Sequence, residues 1–405
     1  LNISYAGTGY NTLTNPVVAI SSAFITRKDP IYNWVGTNNG ISSSYTLNKV
    51  AIGNPIISVG SSGIVAISTN GLEWNQSFIG YGQTISFNSV AVAETSRYYA
   101  VGQFGKVVTA TGINTTLSSW TEIRLLEETV VLGLPDPIIN FSTYYNTFND
   151  VAYSPMRRTV VAVGDGTGLF TGVGIGTTAL YKRTPPAFVN LNSVTTNNAR
   201  FVVVGDGGII LHSIDGNIWD RIVQLPTTRN FEKVIWTGTK FVAVGQNATI
   251  FVSTTGNTGW ERIVPNILDD ILNIRYEYGV YVALTSANKL VFSLDLSYWT
   301  ERDTKQNNIV KDLAFILPPP PPELRLPGPI IAEEGRYLLV GTSGTTMYAE
   351  PVYNRATGIA TVSNGVVSSI SVVNPGFGYS QSSPPPIIIE GDNITTEKIY
   401  SVKAK

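Results

Sequence analysis

The feature that most narrows what this chain can fold into is a degenerate repeat of about forty residues. Its constant part is a short apolar strand ending in Val-Gly, a polar turn, and a second apolar strand. Copies stand at Ile57-Ser58-Val59-Gly60, Tyr99-Ala100-Val101-Gly102, Val161-Ala162-Val163-Gly164, Val202-Val203-Val204-Gly205 and Val242-Ala243-Val244-Gly245. Two more are Val282-Ala283-Leu284-Thr285 and Leu338-Leu339-Val340-Gly341. Another strand precedes each copy, from Lys49-Val50-Ala51-Ile52 to Asp312-Leu313-Ala314-Phe315. Several copies continue into a third strand and a Trp-bearing fourth, as in Ile209 to Ser213 leading to Trp219, Thr249 to Ser253 leading to Trp260, and Leu290 to Ser293 leading to Trp299. Four short strands between Gly, Asn and Asp turns, seven times over, predict an all-β fold: a seven-bladed β-propeller. One such sheet cannot bury both faces, so the blades stack around an axis and the ring closes. The Val-Gly strand, the most apolar, is expected near the middle of each blade.

The last blade lacks a Trp strand, and Tyr32-Asn33-Trp34-Val35 looks like an orphan fourth strand near the other terminus. A closing strand from about 22–36, carrying Trp34, is therefore expected to complete that blade and remove its open edge. The resulting division is 1–21, the tail end of a small β-module; 22–353, the propeller; and 354–405, a C-terminal small β-module. The chain opens on Leu1 and is read as a processed or partial piece of something longer.

The turns before the tryptophans are clearest at Ser68-Thr69-Asn70-Gly71-Leu72-Glu73-Trp74 and Ser213-Ile214-Asp215-Gly216-Asn217-Ile218-Trp219. Asp or Asn followed by Gly suits a tight hairpin, and the Ser and Asp side chains can bond turn amides. The pattern resembles the Asp box of sialidase-like and related bacterial propellers, one residue tighter than usual, and is similar to the repeats of photosystem assembly-factor propellers. In those families the Asp box is a structural turn. A sialidase would further need three clustered arginines, a Tyr–Glu pair and an acid Asp. The nearest match to its Arg-Ile-Pro motif is Arg262-Ile263-Val264-Pro265, misplaced and with an extra residue, so no glycan-cleaving activity is expected.

The two ends carry a different pattern. Gly7-Thr8-Gly9-Tyr10 before Pro16, and Gly376-Phe377-Gly378-Tyr379 before Pro384, read as strand, Gly-x-Gly-Tyr turn and Pro-led strand. This resembles the small β-modules strung along phage tail-fibre and other virion proteins. The resemblance implies a structural component of a virion tail, baseplate or fibre, with other virion proteins as partners, a host surface glycan or protein as contact, and a homo-oligomeric state. The alternative is a bacterial secreted or cell-surface propeller that binds protein or glycan. Only 14% of residues are charged, against roughly 25% in ordinary soluble proteins. The net charge is −1 without blocks of like charge, so nucleic-acid binding is not expected, and no apolar run approaches the roughly 18 residues of a membrane span, so membrane insertion is not expected either.

No catalytic residue, metal site or cofactor is expected. There is no cysteine, and His212 is the one histidine, beside a structural turn. Gly164-Asp165-Gly166 and Gly205-Asp206-Gly207-Gly208 could suggest a cation loop, but the equivalent turns carry Ser61, Gln103, Gln246 and Ser343, a series better read as a β-turn. Carboxylates and arginines converging on the pore would mark an enzyme, and such convergence is not expected. The prolines from Pro318 to Pro322 read as a stiff loop. The insertion at 124–147 reads as a long loop, and its Tyr144, Tyr145 and Phe148 are the candidate contact surface.

Overall fold

The computed structural model describes residues 17–20, 34–80, 84–94, 96–113, 119–129, 137–174, 176–222, 225–277, 279–302, 307–316, 335–349, 357–363, 366–374, 386–390 and 400–401. They form two compact units: Trp34–Ile316 with Tyr337–Tyr348, and the described residues of the chain ends. The first unit is a seven-bladed β-propeller. Its inner strands are Leu47–Ala51, Phe87–Ala93, Phe148–Ser154, Leu191–Thr196, Phe231–Trp236, Ile271–Glu277 and Val310–Ile316, each beside the next and the last beside the first. The blades are numbered 1 to 7 in that order. The Val-Gly strands, from Ile56–Gly60 in blade 1 to Arg336–Gly341 in blade 7, take the second place and are buried almost throughout.

The glycine that ends the second strand in every blade but the sixth is there for room. Its φ is extended, but a Cβ would lie 1.8 Å from the Thr46 carbonyl oxygen at Gly60, 2.1 Å from that of Ser86 at Gly102, and 2.1 Å from that of Asn230 at Gly245. The crowding comes from a bulge at the start of the inner strand, where the register slips between Leu47 and Lys49 and at the matching place in blades 2 to 6. In blades 1 to 4 the bulged residue is an asparagine. Asn48, Asn88, Asn149 and Asn192 each donate through Nδ2 to the first carbonyl of the next inner strand, those of Phe87, Phe148, Leu191 and Phe231, at 2.9–3.1 Å. One local irregularity thus frees a side chain that ties each blade to its neighbour.

The Trp turns form as their residue types dictate. Ser213 Oγ accepts from the Gly216 N–H at 2.8 Å, Asp215 Oδ1 accepts from the Asn217 and Ile218 N–H groups, and Trp219 Nε1 donates to the Gly216 carbonyl at 2.9 Å. Blade 1 repeats this set at Ser68, Asn70 and Trp74, and blade 6 at Ser293, Asp295 and Trp299. The tryptophans then pack between blades, Trp74 against Ile316 and Leu338 of blade 7, and Trp219 among residues of blades 3 and 4.

Blade 7 takes its fourth strand from the opposite end of the propeller sequence. Trp34–Gly36 lies beside Thr346–Ala349, and Asn38–Asn39 then runs parallel to the outer strand of blade 1. Thr37 N–H donates to the Thr346 carbonyl, and Asn39 Nδ2 reaches Thr346 Oγ1 at 2.7 Å. One short segment therefore clasps the last blade to the first. Residues 22–33 of the expected closing strand lie outside the described residues, as do both Gly-x-Gly-Tyr turns and the proline run.

Two organisational expectations change. Residues 124–147 are not simply a loop: Arg124–Thr129 and Ile138–Phe141 pair, and the first lies parallel to Ala179–Lys182, widening blade 3 to six strands. The chain ends were expected to be two modules. Their described strands share one sheet, in which Val17–Ile20 lies between Thr357–Ser363 and Pro386–Glu390.

Because the Val-Gly glycine meets backbone rather than a movable side chain, Gly245→Ala should destabilise the propeller by about 3 kcal/mol. The control Gly80→Ala, whose new Cβ meets nothing within 4 Å, should cost well under 1 kcal/mol, on the order expected at an open surface site. Urea unfolding of the two variants makes the comparison.

Candidate functional site

Two residues beyond the first residue of each inner strand, every blade places a polar side chain next to the axis: Lys49, Ser89, Asp150, Ser193, Lys233, Asn273 and Asp312. Together they form a buried belt. Asp150 accepts from Ser89 Oγ at 2.6 Å, Ser193 Oγ at 2.7 Å and Lys233 Nζ at 2.6 Å. Asp312, with no exposed surface, accepts from Asn273 Nδ2 at 2.5 Å and the Val50 N–H at 2.9 Å. Lys49 Nζ is 3.5 Å and Arg275 Nη2 3.6 Å from the Asp312 carboxylate. Carboxylates and basic groups thus do converge on the pore, contrary to expectation. The alternation of the inner strands, which turns every second side chain to the axis, produces this.

Donors surround both carboxylates of the belt, while the buried Asn273 Oδ1 has no hydrogen-bond partner. Burial alone would raise the Asp150 carboxyl, but Lys233 and Lys49 overcome it and hold the group well below the usual carboxylate range. Asp312 is held low in the same way by Lys49 and Arg275. Burial pushes the Lys49 ammonium down to about 7; Asp312 opposes this, and Lys233 and Arg275 add to it. Above the belt, small side chains such as Ala51, Ala91, Ala152 and Thr195 open the pore into a cavity of 400 Å³.

The other candidates resolve individually. His212 Nδ1 lies 2.9 Å from Arg200 Nη1 and so accepts from the guanidinium; burial and that charge keep the ring neutral. The Asp165 carboxylate accepts from Asn149, and that of Asp206 from Asn190 and Asn192. The same position carries Ser61, Gln103, Gln246 and Thr342, whose side-chain oxygens accept from backbone N–H groups leading into the inner strands. This explains the Asp, Gln and Ser series, with one correction: the blade 7 member is Thr342, not Ser343. Among the described residues no three His, Asp or Glu side chains gather as a metal site would need.

The proposed contact residues separate. Phe148 is 0% exposed as the first residue of its inner strand, packed 5.5 Å from the Phe170 ring, so it is core and not surface. Tyr144 is wedged between Phe148 and Phe170, its hydroxyl 3.0 Å from the Thr147 and Asp165 carbonyl oxygens. Burial pushes its phenol well above the ordinary range. Tyr145 points outward and is 72% exposed. It shares an open cavity of 360 Å³ with Phe104, which sequence reasoning missed. Phe104 is 59% exposed and has a φ of +55°. The corresponding turn residues at positive φ are Ser62, Gly166, Gly207, Asn247 and Ser343, the kinds that tolerate this region. The signal was in the repeat: a large apolar residue at the tip of a turn that elsewhere carries small or polar ones. Nearby in sequence, Ile139 and Phe141 of the blade 3 edge are exposed as well.

No family profile matches the chain, and no curated protein matches it in sequence. Solved structures do match. The propeller of YCF48 bound to D1 peptide has a TM-score of 0.55 and 13% identity, covering 82% of this chain and 97% of that one. YCF48 from Cyanidioschyzon merolae has a TM-score of 0.54 and 11% identity, covering 78% of this chain and 98% of that one. At these identities the likeness is one of fold.

The belt sets a pH dependence. An ammonium lowered in the fold takes up a proton on unfolding between about 7 and its ordinary 10.5, so Lys49 makes stability rise with pH across that window. Buried phenols such as Tyr98 and Tyr281, pushed up to about 12, act oppositely above 10.0. Asp150 and Asp312 contribute stability that is full above 3.8 and is lost as pH falls below it. Lys49→Met should flatten the rise between about pH 7 and pH 9 in urea unfolding and, by removing a cation that holds Asp150 and Asp312 low, shrink the acid limb as well.

Proposed function

We propose that this propeller is a non-catalytic binding scaffold that holds a segment of a partner polypeptide against Phe104 and Tyr145, where blades 2 and 3 meet. The observation that carries this is Phe104. A bulky residue at positive φ costs on the order of 1 kcal/mol, and such strain concentrates at functional sites. Here it brings an aromatic ring out into water beside a second exposed ring. Aromatic side chains next to a concave, partly polar floor are the usual anchors of protein recognition. The cavity floor of Gln103, Asn146, Thr147 and Asp165 supplies polar groups for a peptide backbone. The likeness in fold to YCF48 bound to D1 peptide supports the reading, since that protein holds a peptide on a propeller of this kind. The belt supports the non-catalytic part, since both of its carboxylates are engaged by neighbouring donors.

We place the scaffold in a virion tail, baseplate or fibre, on the low charge and the Gly-x-Gly-Tyr turns alone; neither likeness in fold adds to that placement. Immunogold labelling of native particles tests it, and recovery of the chain only from bacterial surfaces would favour the secreted propeller instead.

Phe104→Asn separates binding from folding, because asparagine suits the left-handed turn. The variant should unfold at or slightly above the wild-type urea midpoint. On an array of short peptides rich in apolar and aromatic residues, it should lose the set that the wild type retains. Equal retention by both proteins would sink the proposal.

A further inference from the structure

The repeat allows equivalent positions to be compared between blades, and blades 2 and 6 share an ion pair that blade 5 lacks. In blade 2, Lys106 opens the third strand and its Nζ lies 2.6 Å from Glu122 of the outer strand. In blade 6, Lys289 pairs with Glu301 at 3.0 Å in the same arrangement. The register is the same in each: Val108 faces Glu122, Val291 faces Glu301, and Phe251 of blade 5 faces Arg262. Blade 5 therefore carries Thr249 where blades 2 and 6 have lysine, and Arg262 where they have glutamate, a place that blade 4 also fills with an arginine, Arg221. The carboxylate of the pair is missing and its place is taken by a cation.

That exchange leaves a built cavity. A space of 490 Å³ is lined by Leu225, Pro226, Thr227, Thr228 and Arg229 from the loop entering blade 5, with Thr249 and Arg262 from its strands. Arg229 is fixed over it by donating from Nη1 to the Asn247 carbonyl. Thr249 is buried, and its hydroxyl has no hydrogen-bond partner, which is costly for a buried polar group. Among the described residues no carboxylate lines the cavity, and neither arginine has an ion-pair partner. Two guanidinium groups and three threonines in a chain so poor in charge form a donor-rich recess with nothing to accept. Guanidinium forks match the oxygens of carboxylate, phosphate and sulfate groups.

We propose that this recess binds a phosphate or sulfate group, which supplies the negative charge that glutamate supplies in blades 2 and 6. Arg262 and Arg229 clamp it, and the threonine hydroxyls supply the remaining donors. The recess has the size of a small-molecule site, larger than a bare ion requires, so the group is carried on a larger molecule such as a sugar.

The test is calorimetric titration at constant ionic strength with inorganic phosphate, inorganic sulfate and glucose 6-phosphate as probes. The wild type should give saturable binding, tightest for glucose 6-phosphate; equal affinity for the inorganic ions would assign the site to the free ion. Arg262→Gln should weaken binding by about tenfold or more, the usual effect of losing a charge-assisted pair. The double variant Thr249→Lys with Arg262→Glu writes the ion pair of blades 2 and 6 into blade 5. It should fold with wild-type stability or better and bind none of the probes. No saturable binding by the wild type, or unchanged binding in the double variant, would overturn the proposal.

Discussion

The propeller depends on one close approach, repeated around the ring: a carbonyl at the start of each inner strand rests against the Cα of the glycine ending the strand beside it. That contact holds the bulge, and the bulge decides what faces where. It rotates one residue sideways, where asparagine reaches the next blade, and turns the following residue to the axis, where the belt assembles. Blade 6 shows the tolerance of the device. Thr285 replaces the glycine there, and its buried hydroxyl has no partner, so the room exists only at the cost of an unsatisfied group.

The belt contributes more to register than to net stability. Buried ion pairs seldom outweigh their desolvation, yet removing one partner is strongly destabilising. Asp150 is reached by Ser89 of blade 2, Ser193 of blade 4 and Lys233 of blade 5; Asp312 by groups of blades 1 and 6. A blade that slipped by one residue would take its polar side chain out of this set and put an apolar one on the axis. Two carboxylates thereby specify the registers of several strands.

How much of this was legible varies with how local the cause is. The Val-Gly strands and Trp turns were readable because each is complete within a few residues. The belt was harder, because its seven members are of four residue types and make sense only once placed around one axis. The Asn48, Asn88, Asn149 and Asn192 ladder did carry a signal, a large apolar residue followed by Asn in four inner strands, but its purpose is a contact with the next blade. Tyr144 and Phe148 misled because an aromatic cluster inside an insertion reads as surface, whereas Phe148 begins the inner strand and Tyr144 closes over it. Hairpin Arg124–Thr129 with Ile138–Phe141 was hidden for a related reason: it joins a blade whose other strands all follow it in sequence.

In a repeat protein, function is best sought where one copy departs from the others without a structural reason. Among the described residues, two large apolar side chains sit at positive φ, Phe104 and Leu296. Leu296 stands where the other Trp turns have glycine, and its side chain is buried in the core between blades 5 and 6, so packing offsets the strained backbone. Phe104 has no such compensation, because its ring lies mostly in solvent. Thr249 and Arg262 stand in contrast to the Lys–Glu pair of blades 2 and 6, as two groups that lack an acceptor. Both lie away from the axis, on parts of the blades that the bulges and the belt do not constrain, where substitutions can be made without disturbing the ring.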